Sequence, residues 1–578
     1  MKFLNLFLSL SFCLLVACQK KNVPVQTQTT SPKVDSSSFK NKVTEDSTAR
    51  IQKEKRRNFP DVAKFNSFLN NSEGDSYSKK PFIPLAIGKD TMLLDSLTLN
   101  VYKANDNKSF WNDSAKCHHI IRVLNDSRFD GLNPKDYGIP ELDSMYKACF
   151  MAKRKRNDTL YWKLELAVTQ NYLHYLNHLK FGKTNPELIY KDWDYKRDTH
   201  LPHTPVEFSK FLIQNPDTLI SEFRPQYAMY NILRAVLYTA DSIDHNKFFE
   251  WDAIPYPGKD LKPGDTASVI VKIKHRLLSV GLGHEDPATN VFDDDMLAAL
   301  NYFQQHVGLT PNGKVDKATI TKLNFTLQEI EDVVKVNMER CRWLMKGDLP
   351  DSYIIVNIAD YYLRIYKNDK QVYRTKVVVG ATNKETPLFH SQMTTIEFNP
   401  HWTVPISIAG TEILPKLKTD PNYLSRNNME LLKGDSAVQI TDFSSYSKNN
   451  FPFVVRQKPG VDNSLGLVKF LFPNPYSVYF HDTPAKSLFE KDVRAFSHGC
   501  VRVYKPLDLA AFLLSDQGIS TKHINEIIKS GENTPVGLKN RIPVIVTYWT
   551  CFTDEKNQIF FFKDIYGRDK LILKELNK

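Results

Sequence analysis

Three rhythms of apolar and polar positions succeed one another along this chain, and each predicts a different kind of element. After Lys2, an apolar run from Phe3 to Ala17 is broken by little except Asn5, Ser9 and Ser11. It is too short for a confident membrane span and fits the apolar region of a secretory signal. Residues 18–80 lose the pattern. They are rich in Lys, Ser, Thr, Asn, Gln and Asp, with few aromatics before Phe59, a composition that cannot bury enough surface to order itself and reads as a tether. From about 81 to 250 a helical period sets in, as in Leu164, Val168, Tyr172, Tyr175, Leu176 and Leu179, spaced by threes and fours. Two more helical faces follow, Val269, Ile273, Leu277 and then Met296, Leu300, Phe303, Val307. Pro311-Asn312-Gly313 turns the chain, and Asp316 caps a short third helix carrying Ile320 and Leu323.

From about 340 the period falls to two. Tyr353–Ile358, Tyr361–Tyr366 and Val372–Val379 are predicted strands, with Asn368-Asp369 turning between the last two. Aromatic and β-branched alternation continues to Ile559-Phe560-Phe561-Phe562, interrupted at about 411–459 by an irregular polar stretch. The pattern predicts a multidomain α+β protein. Its parts are a helical domain (81–250), a three-helix module (251–330, its helices within 262–325) and a mainly-β domain (335–570) with an insertion at 411–459.

A chain of 578 residues is too long for one ordinary core, and with 42% hydrophobic and 25% charged residues it is globular over most of its length. Its 77 basic and 65 acidic residues give a net charge of +12, a mild excess spread along the chain that a solvated surface explains. Lys153-Arg154-Lys155-Arg156 is a possible nucleic-acid patch, but the secretion signal argues against that partner. Leu15-Val16-Ala17-Cys18 ends the apolar run and resembles a bacterial lipobox, in which the cysteine is acylated and anchors the mature chain to membrane. Gln19-Lys20-Lys21 carries no acidic retention signal, which favours the outer membrane. Of seven cysteines, Cys13 leaves with the signal and Cys18 is the lipidation candidate. Cys117, Cys149, Cys341, Cys500 and Cys551 show no metal-ligand spacing, and Cys117 with Cys149 could pair in an oxidising compartment.

The candidate chemistry is concentrated in Tyr479-Phe480-His481-Asp482-Thr483-Pro484 and Ser497-His498-Gly499-Cys500-Val501-Arg502. A thiol, two imidazoles and a guanidinium share one short span, and cationic or imidazole neighbours lower a thiol's pKa and raise its thiolate fraction. Gly499 leaves the backbone before the sulfur open to a substrate.

This span, with fifteen residues between His481 and Ser497, resembles the YkuD-type L,D-transpeptidase pattern. Arg502 stands where several members carry Asn, as in the longer-chain subgroup. Met338–Trp343, Tyr353–Ile358, Phe398–Pro405, Gly466–Phe470, Phe472-Pro473-Asn474 and Asp564–Gly567 are similar to the large periplasmic branch of the family. Phe110-Trp111, Asp130–Tyr137 and Phe181-Gly182-Lys183 resemble the scaffold domain of those enzymes. Gly308-Leu309 with Asn312-Gly313, after Phe303-Gln304, resembles a peptidoglycan-binding module. The resemblance implies that Cys500 is the nucleophile and His481 its base, with His498 shaping the loop and remaining a rival base. The N–H groups of Gly499 and Cys500 become candidate oxyanion donors, and Arg502 a carboxylate or thiolate partner. Ser497 completes the loop. It further implies peptidoglycan stem tetrapeptides as acyl donors, 3→3 cross-links as product, reactivity towards carbapenems, a capping role for the insertion, and no metal or organic cofactor. A stem-trimming L,D-carboxypeptidase and a non-catalytic wall-binding lipoprotein are the alternatives.

Overall fold

A computed structural model describes residues 82–578, apart from 88–89, 153–156, 191–192, 194–200, 227, 246–251, 280–281, 283–287, 345–350 and 369. The expected signal, Cys18, the tether and the Lys153–Arg156 run lie outside the described residues. Among the described residues no helix is long and apolar enough to cross a membrane.

The helical region opens on a hairpin rather than a helix. β1 (Phe82–Ile87) and β2 (Asp90–Asp95) pair antiparallel, burying Leu85, Ile87 and Leu94. Their alternation is too brief to stand out beside the long helical repeat that follows. Helix Asp158–Phe181 runs through this region's core and buries every apolar residue that predicted it. The three short motifs earn their place here. The fully buried Glu165 accepts from the N–H groups of Phe110 (2.5 Å) and Trp111 (3.1 Å) and from Tyr102 (2.9 Å), and burial raises its pKa. Buried Asp130 pairs with Arg224 at 2.8 Å. Gly182 lies where a Cβ would meet Glu339 and Trp343 at 2.8 Å.

Glu339 and Trp343 belong to helix Leu327–Leu344, which joins this region to the β domain. Its Arg340 is buried and reaches Asp569 at 2.6 Å, and its Arg342 reaches Glu339 at 2.7 Å. Two buried guanidiniums are tolerable only because each is paired, so the joint is specific as well as apolar.

The module between them packs helices Ser268–Ser279, Asp294–His306 and Lys317–Leu323 around one small core. Asp316 caps the third helix through Thr319 N at 2.8 Å.

The β domain contributes β3 (Ser352–Asn357), β4 (Tyr362–Lys367), β5 (Lys370–Gly380), β6 (Phe389–Phe398), β7 (Trp402–Thr403), β8 (Met429–Lys433), β9 (Ser436–Val438), β10 (Val454–Gln457), β11 (Val468–Leu471), β12 (Phe480–His481), β13 (Ala495–Ser497), β14 (Val501–Val503), β15 (Thr534–Thr547), β16 (Cys551–Thr553) and β17 (Ile559–Phe561). Its main sheet has the order β13-β5-β14-β12-β11-β6-β15-β3-β4, and a further β4–β5 pairing closes it on itself. Ile354, Val356, Val377, Ile396, Phe470, Phe480, Val501 and Val544 fill one face. The segment predicted as an insertion at 411–459 has its own core and a small sheet, β7-β10-β8-β9, and both begin earlier than expected, with Trp402–Thr403 of β7 and with Val404 and Ala409.

The module is docked on the β domain. Tyr302 stacks on His306 (centroids 3.9 Å apart), which stacks on Phe560 of β17 (4.4 Å). Gly308, at φ +72°, brings the backbone so close that a Cβ would lie 2.7 Å from the Phe561 carbonyl.

Candidate active site

Three adjacent strands assemble the site. β12 runs parallel to β14 in the register Phe480↔Val501 and His481↔Arg502. It runs antiparallel to β11 with Lys469↔His481. Side chains alternate across a strand, so Phe480 and Val501 point into the core while Tyr479, His481, Cys500 and Arg502 share the opposite face. The sequence spacing is thereby explained. The residues between His481 and Ser497 form the connection that lets two parallel strands lie side by side.

Cys500 is partly exposed, and its Sγ lies 3.9 Å from the Ser477 carbonyl. Burial raises its pKa despite the opposing hydrogen bonds from Tyr479 and the charges of Lys469 and Arg502. The expectation of a lowered thiol pKa is therefore corrected. His481 is buried, and its Nδ1 faces the Asp482 carbonyl, so Nδ1 carries the proton and Nε2 keeps its lone pair. Burial first, then Arg502, lowers its pKa to about 3. The resting pair is a neutral imidazole and a thiol.

The Ser497–Cys500 loop is braced from within. Ser497 Oγ donates to the Cys500 carbonyl and accepts from Gly499 N at 3.2 Å. Thr386 Oγ1 donates to the Gly499 carbonyl at 2.9 Å. Gly499 sits at φ +113°, a conformation that excludes side chains. Since its N–H is already given to Ser497, Cys500 N is the better of the two candidate oxyanion donors. Arg502 lies beside His481 in the strand pairing and has a buried Nε without a partner among the described residues.

His498 is not part of this face. Its Nε2 lies 2.6 Å from Glu412 of the insertion, which also holds Lys384 at 3.1 Å, and the His498 hydrogen bond lowers the Glu412 pKa. Spacing alone did not single out Tyr479, Lys469, Glu397, Trp402 or Glu412. The first three are brought in by strand register, and Lys469 Nζ lies 4.4 Å from the Tyr479 ring. Trp402 hydrogen-bonds Tyr479 from the edge of the insertion's sheet.

Residues 351–539 match the family model of the L,D-transpeptidase catalytic domain, residues 96–237 that of the scaffold domain, and residues 266–323 that of the "Putative peptidoglycan binding domain". A "Putative L,D-transpeptidase" of Haemophilus influenzae is 36% identical over 236 residues. That stretch is 40% of this chain and 47% of the relative, so the chain matches about half the relative's length. An L,D-transpeptidase from Stackebrandtia nassauensis is similar over 50% of this chain and 97% of its own, with 14% identity and a TM-score of 0.21. One from Mycobacterium smegmatis is similar over 34% of this chain and 58% of its own, with 12% identity and a TM-score of 0.17. Likenesses that weak say nothing of this chain's chemistry.

Proposed function

We propose that this chain, which carries an L,D-transpeptidase catalytic domain beside scaffold and peptidoglycan-binding domains, forms 3→3 cross-links in peptidoglycan through a thioester on Cys500. The supporting observation is the alignment of His481, Cys500 and Arg502 on one face of paired strands. Cys500 attacks the carbonyl of the diamino acid at position three of a tetrapeptide stem, His481 Nε2 takes the thiol proton, and the terminal D-Ala leaves as an amine that recovers a proton. A side-chain amine of a second stem then attacks the thioester and frees the thiol. Because thiol and imidazole are both neutral at rest, proton transfer accompanies attack.

Incubation of the purified protein with tetrapeptide sacculus fragments, followed by mass spectrometry of the muropeptides, tests this reading. Cross-linked dimer that retains no terminal D-Ala on the donor is the expected product. Tripeptide alone would mean a carboxypeptidase, and unchanged fragments a wall-binding protein. Leu15-Val16-Ala17-Cys18 supports a lipid anchor on the periplasmic side, in the outer membrane. Fatty-acid labelling that persists in a Cys18→Ala variant would refute acylation at that residue.

A further inference from the structure

A row of charged side chains crosses the sheet beside the candidate nucleophile. Arg502 of β14 pairs with His481 of β12, His481 with Lys469 of β11, and Lys469 with Glu397 of β6. Neighbouring strands are about 4.8 Å apart, so the backbones of Arg502 and Lys469 lie roughly 10 Å apart with the imidazole midway. All four side chains lie on the face that carries the Cys500 thiol.

Among the described residues, neither cation has its hydrogen-bonding capacity filled. Lys469 Nζ rests 4.4 Å from the Tyr479 ring centroid and approaches Glu397 only to 3.9 Å, the far limit of an ion pair. An ammonium has three donors. Glu397 has a closer neighbour in Asn533 Nδ2, at 2.8 Å, so Lys469 is not needed to satisfy it. Arg502 keeps a buried Nε that has no partner among the described residues. Partly buried cations cost free energy unless an anion pairs with them. Both also act electrostatically on His481 and Cys500, which places their charges close to the reacting atoms.

We propose that Lys469 and Arg502 form a two-cation cradle around His481 that selects acyl donors with a free carboxylate on each side of the scissile carbonyl, Lys469 being the specificity-determining residue. The proposal rests on the acyl-transfer reading above. A tetrapeptide stem meets the requirement: the leaving residue ends in a carboxylate, and the stem can carry another upstream. Amidation of either carboxylate removes an anion without changing the stem's length, so the cradle discriminates by charge.

The test compares synthetic tetrapeptide donors with both carboxylates free, with the terminal one amidated, with the upstream one amidated, and with both amidated. Acyl-enzyme formation is followed on the whole protein by stopped-flow and mass spectrometry. The unmodified enzyme should prefer the dicarboxylate over each monoamide by about 10–100-fold in KM, the size of a lost charge-assisted hydrogen bond, with kcat little changed. Lys469→Met should erase the preference at one carboxylate and keep it at the other, and Lys469→Arg should restore it. Glu397→Gln, which frees the ammonium, should hold or sharpen it. Selectivity is a ratio measured on one enzyme, so a change in thiol reactivity cancels. An unmodified enzyme that acylates equally from all donors, or a Lys469→Met enzyme that keeps both preferences, overturns the cradle and leaves the acyl-transfer reading standing. No acyl-enzyme from any donor overturns both.

Discussion

His498 Nε2 and Glu412 Oε1 lie 2.6 Å apart, joining the loop that precedes the thiol to the insertion above it. Glu412 holds Lys384 with the same oxygen. Both partners are more than a third exposed, and contacts of that kind contribute about 1 kcal/mol or less to stability. Glu412→Gln should therefore leave the melting temperature nearly unchanged. It should speed backbone hydrogen exchange in residues 406–419 and alter acylation through KM. Exchange rates identical to those of the parent protein would show that the bridge holds nothing in place.

The same contact separates the two histidines. Cys500→Ala should abolish acyl-enzyme and carbapenem-adduct formation, because the other cysteines among the described residues, Cys117, Cys149, Cys341 and Cys551, are all buried. His481→Ala should keep the fold and slow acylation by about 10²–10⁴-fold. His498→Ala should cost less, since its ring faces Glu412 and the loop's next residue, Gly499, is held independently through its N–H by Ser497 and through its carbonyl by Thr386. Stopped-flow acylation decides. A fast His481→Ala enzyme beside a dead but folded His498→Ala enzyme would reverse the assignment.

Burial raises the Cys500 pKa and lowers that of His481 to about 3, which gives two pH signatures. Alkylation of Cys500 by iodoacetamide should be slow at neutral pH and still rising above pH 9, with no plateau near 7. The unfolded chain's imidazole protonates near 6.5, whereas the folded one resists. His481 therefore withdraws stability as pH falls from about 6.5 towards 3 and contributes nothing above that window. His481→Gln should lessen the fall in melting temperature between pH 6.5 and 4. An alkylation plateau at pH 7 would show a preformed thiolate.

Much of this architecture was legible because its periodicities are long. Strands β3 to β5 keep their expected bounds to within two residues, and helix Asp158–Phe181 contains the whole apolar face from Leu164 to Leu179. The nearness of His481 and Cys500 was legible because both flank one short connection between parallel strands. What escaped was set by register. Lys469 and Glu397 lie far from Cys500 in sequence, and only the pairing of β6, β11 and β12 brings them beside it. That the Gly499 N–H is already given to Ser497 Oγ depends on how one side chain turns, which spacing does not reveal. The thiol pKa was misjudged because composition reveals charged neighbours but not burial.

The module's docking bears on what its removal will do. A clean deletion of 262–325 should weaken binding to sacculi and spare turnover of small stems. It also strips the Tyr302–His306 stack from Phe560, so the β16–β17 hairpin should exchange faster. Gly308→Ala is the milder probe. At φ +72° with a Cβ 2.7 Å from the Phe561 carbonyl, it should destabilise the docked state by about 1–2 kcal/mol for the left-handed conformation alone. Calorimetry should resolve a lower, separate transition for the module, and an unchanged thermogram would show that the contact is not formed.

Gly466 offers a way to disturb His481 without touching it. It lies at φ +60°, and a Cβ there would fall 2.3 Å from the Asp482 side chain, a clash that backbone or carboxylate must move to relieve. Asp482 is fixed from several sides. Its N–H donates to the Val468 carbonyl at 2.9 Å, and its carboxylate accepts from Leu467 N at 3.0 Å and Thr483 N at 2.7 Å and pairs with Lys486. Its carbonyl is the acceptor that keeps the His481 proton on Nδ1. Gly466→Ala should shift that carbonyl, release the tautomer and cost acylation at least about 10-fold, within the 10²–10⁴-fold limit of a lost base. Alkylation of Cys500 at pH 10, where solvent removes the thiol proton, should be nearly unaffected. Combined with His481→Ala, the substitution should add almost nothing, because both act on the one imidazole proposed as the base. Independent, multiplying losses would show that Gly466 acts through the fold rather than through the imidazole.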